Sequence, residues 1–400
     1  MKLKRMPFFD PTRPAYREDP YPSLARLRRE EPVHFSRQLQ AWVLTSYEHC
    51  ARVLQDDGTF SSEIDVATGS AGKAFAERRR AAPLGDVAVL SNSDPPAHTR
   101  LRSVVSRAFT PRALEAMRPR VEARITELLD EAGDTLEVVN GLAAPLVTSI
   151  ILEQIGVPAE DHEAFRGLTI GIMLAHSGDP ARLPAARKAH GDLIAMVERW
   201  QRDRGVAETS VLGSILAAPD NEAVTADEML MLLINIALSG NGATINGIGN
   251  AILALAQNPE ALDAFARGPE PFPAAIDELL RYDSPAHIVS RVAREPQSLG
   301  GRNVRAGDVL HVVLGAANRD PARFPDPDSI DLAREDNRHL VFGYAAHFCL
   351  GAPLARIQIE SAVRALLARY GRFRVAEVVR GDSILMRGPT RLTILRAPEV

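Results

Sequence analysis

Cys349 stands in the segment FGYAAHFCLGAPLAR, residues 342–356, between Gly343 and Gly351 and just ahead of a helix expected to begin near Pro353. Glycines let the backbone come close to a flat ligand and turn freely. N–H groups left free at a loop and a helix start favour an anion, and so favour a thiolate over a thiol. A single thiolate held in this way can be the axial ligand of haem iron. The other reading is a buried core cysteine. A zinc site would need further Cys or His at ligand spacing, and only His347 is near.

Three more stretches carry chemistry-bearing residues. Glu278 and Arg281 are three apart on one helix face and can pair. His98 and Arg102 are one turn apart, so one face presents both. LSGNGATINGIGN, residues 238–250, puts four glycines and three asparagines into an otherwise apolar helix. If all four glycines are helix-interior, they cost about 3–4 kcal/mol of propensity relative to alanine. Two readings account for that cost. One is close packing against a nearly bare face. The other is a widened, polar pocket in which Asn241, Thr244 or Asn246 holds water or substrate.

The elements that must position these residues are mostly helices. A short amphipathic helix is expected over Tyr21–Arg29 and a strand at AWVLTS. Residues 61–95 read as a long loop with one helical turn, and such loops are often functional. From 96 to 280 the pattern is almost wholly helical, in PRVEARITELLDEA, LVTSIILEQIG, ARKAHGDLIAMVERWQ and EMLMLLINIALSG. Thr225 with Asp227 and Glu228 gives the last of these a capping-box start. HIVSRVA and DVLHVVLGAA read as strands around a turn at Gly300 and Gly301. FRVAE and RLTILRA close the chain as strands. No linker divides the sequence, so the expectation is one mainly α domain, residues 1–400, with a small β region.

Composition narrows the function. The net charge is −4, from 47 basic and 51 acidic residues, which gives no electrostatic reason to expect nucleic acid. No run of eighteen apolar residues is present, so no membrane span is expected. The basic N-terminus lacks the apolar region of a secretory signal. Two cysteines, Cys50 and Cys349, make no disulfide framework. A cytoplasmic, monomeric protein is the expectation. The richness in Arg and Ala, with only four lysines, suggests a GC-rich bacterial genome.

The segment around Cys349 resembles the haem-binding loop of cytochromes P450, F-G-x-G-x-H-x-C-x-G-x-x-L-A-R. Phe342, Gly343, His347, Cys349, Gly351, Leu354, Ala355 and Arg356 match it; Ala345 replaces the second glycine, a departure that tightens the loop. Glu278 and Arg281 resemble the family's structural E-x-x-R pair, which locks to a Pro-rich loop, here NRDPARFPDP with Arg319 or Arg323 nearby. DPPAHTRLRSVVSRAFTP resembles the helix whose His98 and Arg102 contact a haem propionate, with Arg291 and His347 the matching contacts. The resemblance covers residues 8–397 and implies the cytochrome P450 fold, haem b (iron protoporphyrin IX) and a Cys349 iron ligand.

The same resemblance places 238–250 on the central helix that crosses the oxygen-binding face. The family pattern there, A-G-x-[D/E]-T, reads Ser239, Gly240, Asn241, Gly242, Ala243. Gly240 fits, but the acid position is Gly242 and the alcohol position Ala243. Thr244 lies about 100° further round and is no simple replacement. Oxygen activation needs protons, usually from a positioned alcohol and acid with ordered water. Their absence leaves protons supplied by the substrate's own polar groups, protons from water on Ser239, Asn241 or Thr244, or a reaction other than hydroxylation, such as coupling or ring closure. Substrate-facing positions by family register are residues 61–95, Ile170 to Leu174, Leu238 to Thr244, His287, Ile288, Val289, Ile384 and Leu385. This mixture suits a mid-sized natural product of bacterial secondary metabolism, antibiotics included. Electrons are expected from a ferredoxin and a ferredoxin reductase, since no flavin segment is fused. Arg107, Arg338 and Arg356 are candidates for the partner surface. Loss of the acid–alcohol pair also fits a non-catalytic helper, but retention of Cys349 argues against that.

Overall fold

The computed structural model describes residues 9–69, 77, 80–176, 179–203, 207–219, 224–267 and 272–397. The N-terminal eight residues and parts of the expected loop 61–95 lie outside them. Helices α1 (Tyr21–Glu30), α2 (Ala97–Ser106), α3 (Ala144–Ile155), α4 (His162–Ala175), α5 (Ala226–Gln257), α6 (Phe272–Tyr282) and α7 (Ala352–Tyr370) follow one another along the chain, with further helices between them. The strands are β1 (Val33–Ser36), β2 (Ala41–Leu44), β3 (Phe60–Ser61), β4 (Thr135–Glu137), β5 (Ile288–Ala293), β6 (Gln297–Leu299), β7 (Arg302–Val304), β8 (Val309–Val313), β9 (Phe373–Arg380) and β10 (Pro389–Arg396).

Backbone contacts group the chain into two compact units. The first comprises residues 1–60, 117–147 and 242–400, and the second comprises residues 61–116 and 148–241.

The first unit holds the sheets. Five strands lie in the order β1-β2-β8-β5-β3. β1 and β2 are antiparallel, β2 and β8 parallel, β8 and β5 antiparallel. Val33, Leu44, Cys50, Phe60, Leu299, Leu310 and Val312 pack together on one side of this sheet. Phe9, Leu24, Leu27, Val43, Ile288 and Val313 form a separate cluster. The turn expected at Gly300 and Gly301, which have φ of 55° and 70°, a region open to glycine, joins β6 and β7, a hairpin not expected between β5 and β8. β10 pairs with β9 and with β4. β4 lies inside the stretch expected to be almost wholly helical. It is three residues long and its partner is some 250 residues away, so no local periodicity announces it. β8 also stops earlier than expected, because Leu314–Ala317 turn helical. A side chain at Gly315 would begin 2.4 Å from the His287 ring, so the strand bends where only hydrogen fits.

The second unit is helical. α4 buries Phe165, Thr169, Ile172 and Ala175. α5 opens with the expected reciprocal cap: the Glu228 N–H donates to Thr225 Oγ1 (3.2 Å) and the Thr225 N–H to Glu228 Oε2 (2.9 Å). Arg100 on α2 pairs with the same Glu228. Helix α5 is long and apolar enough to cross a membrane, contrary to the expectation of no such segment. Its Leu230, Met231, Leu232, Leu233 and Ile234 are nevertheless buried within the protein, as in the core helix of a globular fold.

Candidate functional site

Cys349 sits at the end of a loop shaped by its own backbone. The Cys349 N–H donates to Phe342 O at 2.8 Å, and the Gly343 N–H to Leu340 O at 2.9 Å. Gly343 has φ +72°, and a side chain there would begin 3.1 Å from His347 O. Ala345, the departure from the glycine pattern, holds φ +50°, which an L-residue adopts at a cost of about 1–2 kcal/mol. α7 starts three residues after the cysteine, with Pro353 in its first turn, where a missing N–H costs nothing. The sulfur is therefore close to the positive end of a 19-residue helix.

The two cysteines differ in kind. Cys50 is fully buried, its Sγ donates to Leu44 O, and burial pushes its thiol well above the ordinary range. Cys349 is exposed, flanked by Phe348 and Tyr344, which expose 43% and 40% of their surface. No group of three or more metal-binding side chains occurs among the described residues. That donor set does not suit zinc, which takes three or four protein ligands. A single exposed cysteine amid aromatic surface suits an iron porphyrin, which brings four nitrogens of its own.

Behind the loop, Arg356 forks onto Asp277 of α6 at 2.7 and 3.2 Å and stacks 4.4 Å over the Phe342 ring. His339 approaches the same carboxylate at 3.5 Å. Burial pushes the Asp277 carboxyl up, but the nearby His339 and Arg356 together outweigh it and hold it below the usual range. Arg356 thus braces the loop, with its charge paired to Asp277. Arg338 is exposed but pairs with Asp336, and Arg107 reaches Ala217 O.

Glu278 and Arg281 are fully buried and joined by two bonds of 2.7 and 2.8 Å. Arg281 also donates to the carbonyls of Asn318, Pro327 and Ser329, and so holds the Pro-rich loop. The third member is Arg334, 3.1 Å from Glu278, in place of the expected Arg319 or Arg323. Arg319 instead lies between the rings of Tyr21 and Tyr282 and bonds Asp328, while Arg323 pairs with Asp336. Sequence gave no means of choosing among several nearby arginines.

The glycines of α5 divide into two kinds. Side chains at Gly240, Gly247 and Gly249 would begin 2.8, 2.8 and 2.7 Å from Ile151, Ile359 and Pro389. Close packing explains these three. At Gly242 the nearest atom is Met386 Cε at 3.5 Å, so packing does not demand glycine there. Asn241 accepts from Thr148 Oγ1 at 3.1 Å and donates to Ala237 O at 2.6 Å. Ser239 donates back to Asn235 O at 2.5 Å. Asn246 is packed against Gly388, where a side chain would collide with its amide. Thr244 is buried. Ala243 supplies no polar atom.

The first unit thus gathers Arg291, Phe342, Gly343, His347, Cys349, Gly351, Glu278, Arg281, Gly242, Ala243 and Thr244. Arg291 is buried on β5, and its Nη1 donates to Ser290 O. The second unit holds His98, which is buried, and Arg102, half-buried one turn later on α2, together with Leu238, Ser239, Gly240 and Asn241. Ile170 and Leu174 also lie there, 41% and 46% exposed on the face of α4 opposite its buried residues.

Two substrate-facing expectations are corrected. Ile288 belongs to the core cluster with Phe9, Leu24 and Val43, because on β5 its side chain takes the core face. His287 is buried with its ring against Gly315 and its Nε2 bonded to Tyr16 Oη at 3.0 Å. Burial, and after it Arg387, pushes its imidazole down to about 3, so it is a neutral core group. Val289 and Ile384 are half-buried and Leu385 is 47% exposed. Leu385 O accepts the N–H groups of His287 and Ile288, which docks the turn at 383–386 on the sheet.

The chain is similar to known proteins along its length. The family described as Cytochrome P450 matches residues 272–391. Cytochrome P450 monooxygenase PikC of Streptomyces venezuelae is 36% identical over 88% of this chain and 84% of its own. Nocardicin C N-oxygenase of Nocardia uniformis subsp. tsuyamanensis is 33% identical over 97% of each. The crystal structure of CalO2 superposes with a TM-score of 0.86 at 30% identity, over 98% of this chain and 99% of that one.

Proposed function

Because the chain belongs to the cytochrome P450 family of oxidoreductases, we propose that its 400 residues work as one P450 domain in which Cys349 ligates the iron of haem b. Phe342, Gly343, His347 and Gly351 would line the thiolate side, and His98, Arg102 and Arg291 would hold the propionates. Glu278 and Arg281 keep the Pro-rich loop in place. The observation that carries this reading is the exposed Cys349 sulfur at the mouth of α7, with its loop closed by the Cys349–Phe342 bond. When bound, haem supplies the oxidising chemistry, consuming dioxygen, two electrons and two protons.

The substrate class is a mid-sized natural product of bacterial secondary metabolism. The relatives named as monooxygenase and N-oxygenase support oxygen insertion. Ile170, Leu174, Leu238, Val289, Ile384 and Leu385 provide apolar walls. Gly240 lets α5 pack against Ile151. Gly242 and Ala243 supply neither acid nor alcohol, so protons come through water held by the substrate, by Ser239, by the spare lone pair and donor of Asn241, or by Thr244. A ferredoxin and its reductase deliver the electrons to a cytoplasmic monomer. A second reading, oxidative coupling or ring closure without oxygen insertion, is favoured by the same bare pair, Gly242 and Ala243.

The carbon monoxide difference spectrum of the reduced protein tests the thiolate–haem assignment, and loss of the family's band in Cys349→Ser is the expected control. Incubation with a ferredoxin pair, NADPH and extract of a producing strain blocked in this gene tests the reaction. Gain of one oxygen atom by a metabolite supports insertion; loss of two hydrogens or dimerisation supports coupling.

A further inference from the structure

The first unit contains a cavity lined by Tyr16, Arg17, Arg380, Ser383, Met386 and Arg387, among others. It has about 320 Å³ of empty space, part of it open to solvent. Three guanidinium groups line it, and Asp283 pairs with two of them, Arg380 and Arg387. Asp283 is already shared. Its Oδ1 accepts from Arg387 Nε at 2.6 Å and from Tyr21 Oη at 2.7 Å. Arg380 Nη1 stays 3.5 Å from Oδ2 without a hydrogen bond. The other Arg387 nitrogens donate to the carbonyls of Arg17 and Glu18.

Two donors are left over. Arg17 Nε and Arg380 Nη1, like the Nδ1 of His287 in the same lining, are sealed from solvent and have no hydrogen-bond partner among the described residues. The Arg380 side chain is 10% exposed and that of Arg387 is 8%. Buried charged donors without partners are costly, and a bound anion would answer both. Burial, and then the repulsion of Arg387, holds the Arg380 guanidinium below its ordinary range, although Asp283 and Glu18 pull the other way. The cavity is also well placed. Met386 lines it, and the Met386 methyl lies 3.5 Å from where a side chain on Gly242 would begin.

We propose that this cavity is an anion-binding site that receives the carboxylate of an amphiphilic acidic substrate, with Arg17 and Arg380 as donors and the substrate's chain running past Met386 towards Gly242. The anion site stands on the two leftover donors alone. Its role towards the substrate rests on the reading of α5 as the helix over the reacting face.

The test is calorimetric titration of the haem-loaded protein with sodium decanoate, with decanol and with sodium chloride. Decanoate is expected to bind at least about tenfold more tightly than decanol, the scale of one or two charge-assisted bonds. That preference should shrink to about twofold or less in Arg380→Gln and in Arg17→Gln, each checked for native circular dichroism. Arg17 lies on a short outer helix, so its variant serves if Arg380→Gln fails to fold. Equal binding of decanoate and decanol, with chloride binding lost in the variants, would assign the site to a free ion and overturn the substrate role. No arginine-dependent binding of either anion overturns the proposal whole. An arginine-dependent preference in a protein that gives no carbon monoxide band would leave the anion site standing and remove the P450 placement.

Discussion

Ala345 shows how much one missing glycine costs a functional loop. It holds φ +50° where the family pattern has glycine. Ala345→Gly relieves about 1–2 kcal/mol of strain and returns part of it as unfolded-state entropy. The expected result is a gain of up to about 1 kcal/mol, read by thermal unfolding. His287 gives a second residue-level prediction. Its imidazole is held down to about 3 in the fold, against about 6.5 when unfolded. Below pH 6.5 the unfolded chain binds a proton that the folded chain refuses, so stability falls as pH drops towards 3. Between pH 7 and pH 5 the wild type should lose about 2 kcal/mol more than His287→Gln, measured by urea unfolding at each pH. The sequence marked His287 as a polar contact because a histidine beside a strand looks alike whether it faces a ligand or a core. Its burial depends on Gly315 and Tyr16, and neither is its neighbour in sequence.

At the scale of elements, α5 separates glycines needed for packing from one that is not. Gly249→Ala would drive a methyl onto the rigid Pro389 ring. It should cost about 1–3 kcal/mol despite better helix propensity. Gly242→Ala meets only the tip of Met386 and should stabilise by up to about 1 kcal/mol. Chemical denaturation of the two variants decides, and equal effects would refute the distinction. The α6 cluster gives a graded series. Arg281→Met leaves Glu278 buried with less compensation and should cost about 3–5 kcal/mol. Arg323→Met removes a partly exposed pair and should cost about 1 kcal/mol or less. Helix α5 and its capping box were legible because Thr225, Glu228 and the apolar repeat are local signals. The Glu278–Arg281 pair was legible for the same reason. Arg334 and β4 were not, because each is defined by a partner far along the chain and carries no distinguishing residue type.

At the scale of the whole molecule, resemblance and geometry contributed different things. Matched motifs reach from DPPAHTRLR to the haem-loop pattern, and the mainly helical fold with its small sheets followed from them. The lengths of helices and hairpins were readable from periodicity and turn residues. The grouping of the chain into two compact units, with the boundary inside α5 between Asn241 and Gly242, has no marker in composition, since the helix runs on through it. The contrast between a sealed Cys50 and an open Cys349 turns the molecule into its own counter. A maleimide should add to the folded, haem-free chain once and to the unfolded chain twice, as intact mass would show. Occupancy of the iron site should then appear as protection of that single adduct. Cofactor loading becomes a ratio of two mass peaks, with no need for a substrate, a redox partner or an extinction coefficient.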